Sequence, residues 1–104
     1  MRLPTTKKGV EKELDRIKEG IQEEQTEIFN LDTELMEVRT RKLGFTAIIT
    51  GNYVLDEKLA AQRQHEELCD KENKLTVDKE RAERRLLTLE GNLRRLEDQY
   101  QFIV

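Results

Sequence analysis

Residues 10–45 read VEKELDRIKEGIQEEQTEIFNLDTELMEVRTRKLGF. Val10, Leu14, Ile17, Ile21, Ile28, Leu31, Leu35, Val38 and Phe45 follow one another at alternating steps of four and three, and only Glu24 and Lys42 interrupt the series. Leu14, Ile21, Ile28 and Leu35 take position a of a heptad; Val10, Ile17, Leu31 and Val38 take position d. So narrow an apolar stripe marks a coiled-coil helix, which must be covered by a second helical surface, rather than the broad face of a globular one. Period seven sustained over about four heptads also predicts a left-handed supercoil.

The rest of the chain agrees with that reading. Charged residues make up 39% of the 104 and apolar residues 36%, so there is material for a stripe but hardly for a spherical core. Such a composition also permits disorder, and the regular apolar spacing argues against it. Pro4 is the only proline, so nothing beyond it forbids long helices.

The first helix is expected over about 6–43. Pro4 and the two threonines supply its start, and Gly44 supplies a stop just after Arg39, Arg41 and Lys42, cations suited to a last turn. Residues 44–52, Gly-Phe-Thr-Ala-Ile-Ile-Thr-Gly-Asn, carry no charge and lie between two glycines. They are expected to form an apolar turn with a short extended stretch. A second helix follows over about 53–101, with Asn52 as its cap and Asp56 and Glu57 in its first turn.

The far half of the second helix is a clear heptad: Leu75, Ala82, Leu89, Leu96 and Ile103 at d, Leu86, Leu93 and Tyr100 at a. Its near half is weaker. Leu55 and Leu59 do not share a register with Leu68, and joining them requires a stutter.

These features place the chain in the all-α class, as a single elongated unit of two long helices in a coiled coil over 1–104. An antiparallel hairpin is favoured over a continuous parallel coiled coil, because the uncharged, glycine-bounded break fits poorly inside one helix. With the fold centred near Ile48 or Ile49, the strong seam at 86–103 extends past the first helix and requires a partner. Lys79 at an a position leans toward two strands, because its stem can reach water from a dimer.

The expected partner-binding residues form two groups. Phe45, Ile48, Ile49, Tyr53 and Val54 crowd the turn; they either close the tip on themselves or form an exposed grip for another protein. Leu93, Leu96, Tyr100, Phe102 and Ile103 make up the overhanging end.

Chemistry is not expected. Glu24, alone at a d position, reads as a register-setting residue paired with a Lys or Arg of a neighbouring helix. His65 and Cys69 share a helix face near Glu66 and Asp70, but a zinc site would need ligands from another chain. A two-helix rod offers no pocket for catalysis by that pair. No cofactor, metal or small-molecule ligand is therefore expected. Arginines at 81, 84, 85, 94 and 95 interleave with glutamates, and the net charge is −3, so a nucleic-acid surface is not expected either. No apolar run approaches a membrane span, no signal-type segment opens the sequence, and the lone Cys69 suits a reducing, cytoplasmic setting, with cytoskeletal association in view.

The leading expectation is a structural or scaffolding protein that assembles protein chains, as a homodimer or as a subunit of a cytoskeletal-type or tethering complex. The alternative comes from layout. Helix, then Phe45–Ile49 and Tyr53–Leu55 around Thr50-Gly51-Asn52, then helix, resembles the subunits of prefoldin, a chaperone. That resemblance implies strand pairing between subunits at 45–54 and the holding of client polypeptides.

Overall fold

A computed structural model describes the backbone of residues 6–103 and the side chains of residues 6–102. Expectations for Pro4, Thr5 and the Ile103 and Val104 side chains lie outside the described residues. The chain is an antiparallel helical hairpin of two helices packed on each other: α1, Lys7–Thr50, and α2, Leu55–Ile103.

Thr6 caps α1. Its Oγ1 accepts a hydrogen bond from the Gly9 N–H at 3.1 Å, and its carbonyl accepts from the Val10 N–H at 2.9 Å.

The end of α1 departs from expectation. The helix passes through Gly44 and runs on to Thr50, so the turn is only residues 51–54. Phe45, seven residues beyond Val38, and Ile49, four further on, continue the a/d series and are half-buried. Packing along that seam outweighs the modest helix penalties of β-branched residues and of Gly44. The absence of charge at 44–50 therefore marks a helix rather than a loop. Arg39, Arg41 and Lys42 lie in the body of α1, and no basic residue occupies its last turn.

Gly51 is the glycine that the turn requires. None of the described glycines has positive φ, so the need is for space: a Cβ at Gly51 would lie 2.6 Å from the Ala47 carbonyl oxygen and 3.0 Å from the Tyr53 ring. At Gly44 a Cβ would meet nothing within 4 Å. The cap of α2 is also corrected. Val54, not Asn52, holds the N-cap position, with its carbonyl accepting from the Lys58 N–H at 3.1 Å. Valine has no side-chain acceptor for the first amides, so charge compensation comes from Asp56 and Glu57 in the first turn, as expected.

No stutter is needed in α2. Lys58, Ala61, His65, Leu68, Glu72, Leu75, Lys79, Ala82, Leu86, Leu89, Leu93, Leu96 and Tyr100 run in unbroken steps of three and four, and all are buried or half-buried. Leu55 and Leu59 lie off that line and are exposed. Near the turn the seam uses a small residue and two polar ones, which is why apolar spacing alone does not find it.

The chain divides into two compact units. One comprises residues up to Ile28 and from Arg81 onward; the other comprises Phe29–Glu80. In the first, Val10, Ile17 and Leu96 form the buried core, with Leu14, Ile21, Leu89, Leu93 and Tyr100 packed around them. In the second, the core is Leu35, Val38, Leu68 and Leu75, flanked by Leu31 and Phe45.

The polar seam residues are paired between helices. Arg85 Nε donates to Glu24 Oε1 at 2.9 Å, and its terminal nitrogen reaches Glu27 Oε2 at 3.3 Å. Lys42 Nζ donates to Glu72 Oε1 at 3.1 Å, and Arg39 Nε to Glu72 Oε2 at 3.2 Å. Lys79 pairs with Asp32. Glu24 thus finds the basic partner expected of it, on the chain's own second helix. A slip of either helix would separate these charges and leave Glu24, Lys42 and Glu72 half-buried without these partners, so the pairs help fix the register.

Candidate protein interaction surface

The position of the turn decides which residues remain available. With α1 ending at Thr50, the late heptads of α2 are no longer left over. Leu96 is fully buried against Val10 and Ile17, and Leu93 and Tyr100 pack on the same cluster. The Tyr100 hydroxyl donates to Glu11 Oε1 at 2.9 Å, which holds its pKa above the ordinary tyrosine value. The overhang expected from a fold near Ile48 is therefore absent. Leu93, Leu96 and Tyr100 serve the hairpin core, whereas the Phe102 side chain is exposed.

One run of exposed apolar side chains lies at the turn of the second unit. Tyr53, Val54, Leu55 and Leu59 are all exposed, Val54 at 64% and Leu55 at 69% of their surface. Val54 occupies a cap position where Ser, Thr or Asp would stabilise the helix by about 1 kcal/mol, so local stability does not explain a valine there. Beside the turn, Phe45 and Ile48 of α1 and Leu68 of α2 line an open groove of about 400 Å³, with Arg41, Gly44 and Gln64 at its edges. The missing side chain at Gly44 keeps that edge low. Ile49 is half-buried on the other flank of α1.

Of the turn residues expected to bind a partner, Phe45 and Ile48 meet in this groove, while Tyr53 and Val54 stand exposed, the Tyr53 ring over Gly51. In the sequence, Val54 already belongs to the crowded turn, whereas Leu55 and Leu59 read as seam residues of a separate phase. Their exposure becomes visible only once the α2 register is fixed through Lys58 and Ala61.

The arrangement offers apolar contact and little chemistry. Cys69 Sγ lies 3.6 Å from His65 Nδ1, but among the described residues no group of three or more His, Cys, Asp or Glu side chains is placed to hold a metal ion. The perturbed ionisations are products of ion pairing. The hydrogen bond to Glu72 raises the pKa of Lys42, the same bond lowers that of Glu72, and the hydrogen bond to Glu24 raises that of Arg85. Among the described residues no helix is long and apolar enough to cross a membrane. No protein-family model, curated protein or solved structure matches this chain.

Proposed function

We propose that this chain is a structural coiled-coil protein that joins protein chains, and that its grip is the apolar turn around Val54. The observation that supports the reading is the exposure of Tyr53, Val54, Leu55 and Leu59 together at the turn, four large apolar side chains within seven residues. Clustered apolar exposure of this kind marks contact surfaces. A valine at a helix cap is a local cost that a binding role would explain.

The cap position gives a clean test. Val54→Asp supplies the missing side-chain acceptor and removes the apolar grip at once, so it separates loss of binding from loss of fold. The assay is photo-crosslinking from a reactive group at Leu55 in cells, comparing the parent with the Val54→Asp chain. Expected is a defined set of adducts that disappears with Val54→Asp while the melting temperature holds or rises. Unchanged adducts would remove the turn from the binding surface.

The chaperone reading retains the apolar tip but loses the strand it would assemble through, since residues 45–50 are helical. It predicts that the chain suppresses aggregation of an unfolding client at equal molar amounts, which a scaffold would not do.

A further inference from the structure

α1 carries a second heptad stripe. Phe29, Thr33, Met36, Thr40, Leu43 and Ala47 follow at steps of four and three on positions b and f, roughly opposite the a/d seam. Phe29, Met36 and Leu43 expose 70%, 68% and 71% of their surface. None of the six is charged, whereas the matching face of α2 in the same unit carries the charges of Arg63, Glu66, Asp70 and Glu80.

The threonines are less polar than their names. Thr33 donates its hydroxyl to the Phe29 carbonyl at 3.0 Å and Thr40 to the Met36 carbonyl at 2.8 Å. Their donors are used inside the helix, so covering this face strands no hydroxyl proton and leaves methyl groups for contact.

We propose that this face is a dimer seam, and that its occupant is a second copy of the same helix running antiparallel about a two-fold axis between residues 34 and 35. In that register Phe29 of one copy faces Thr40 of the other and Met36 faces Thr33, so each layer pairs a large side chain with a small one. The flanking charges agree. Asp32 falls opposite Arg39 of the second copy, and Glu37 opposite Asn30. A parallel pairing would stack Phe29 on Phe29, leave Thr–Thr layers between, and set Asp32 against Glu37. Both charged residues have capacity to spare: Arg39 uses Nε on Glu72 and is 60% exposed, and Asp32 takes Lys79 on Oδ1 and is 48% exposed. A surface complementary to itself under a two-fold is what an isologous dimer requires. This face is separate from the turn, and self-association through it does not depend on what the turn holds.

Sedimentation equilibrium at micromolar concentrations, paired with circular dichroism, tests the seam. The parent chain is expected to sediment as a dimer. Phe29→Glu with Met36→Glu is expected to sediment as a monomer with unchanged helicity, its dissociation constant raised roughly hundredfold or more. Direction is read by oxidative crosslinking in a Cys69→Ser background. Two copies of residue 29 would lie about 16 Å apart along the axis, beyond the reach of a disulfide. Phe29→Cys alone is therefore expected not to crosslink, and a mixture of Phe29→Cys and Thr40→Cys chains is expected to do so. A monomeric parent, a dimer that survives the double glutamate substitution, or self-crosslinking by Phe29→Cys alone would each overturn the proposal.

Discussion

Two glycines separate a residue's local preference from its place in the fold. Gly44 looks like a helix stop in sequence, yet it sits inside α1 with open space where its Cβ would be. Gly44→Ala should therefore raise stability by about 1 kcal/mol, the ordinary helix preference for alanine. Gly51→Ala should lower it by about 1–3 kcal/mol, because the new methyl meets the Ala47 carbonyl and the Tyr53 ring. Thermal melts of the two variants should shift in opposite directions; a reversal would put the turn back at 44. The paired seam charges were legible only in part. Glu24 and Lys42 stand out in sequence as interruptions of an apolar series, but Arg85 and Glu72 are ordinary residues of a charged helix until the register brings them into reach.

At the level of the element, α1 was readable because its seam is built of large aliphatics. The near half of α2 was not, because Leu55 and Leu59 lie off the seam while Ala61 and His65 lie on it. Ala82, fully buried, marks where the helices come close. Ala82→Leu should cost about 1–3 kcal/mol by overpacking, although leucine is a good helix former and d positions usually accept it. Leu96→Ala should cost about 2–5 kcal/mol, measured by urea denaturation, since it empties the centre of the cluster around Val10 and Ile17. Had α2 projected past α1, as a turn centred on Ile48 requires, that substitution would cost an isolated chain far less. A turn placed too early in the chain is thus the source of the mistaken overhang.

For the whole molecule, the interhelix charges set a pH window. The lowered pKa of Glu72 means that its contribution is present above about pH 4.5, its ordinary value, and is lost as the pH falls through the lowered one. The raised pKa of Lys42 acts at the other limit: its contribution is present below about pH 10.5 and is lost as the pH rises through the raised value. Tyr100 adds to the alkaline loss, because its proton is the one donated to Glu11. Melting temperature should therefore be level between these limits and fall on either side. Glu72→Gln should lower the plateau and flatten the acid limb, and an unaltered acid limb would show that the Glu72 pairs carry no part of it. The same antiparallel layout bears on how fast the chain folds. The hydrogen bond between Tyr100 and Glu11 spans 89 residues, and that between Lys42 and Glu72 only 30. Bringing together the more distant pair costs about 1 kcal/mol more in chain entropy. The contacts easiest to reach are thus partly polar, while the fully buried leucine at 96 is among the last that a zipper starting at the turn would close. Substitutions at Leu96 should accordingly speed unfolding and leave the refolding rate nearly untouched.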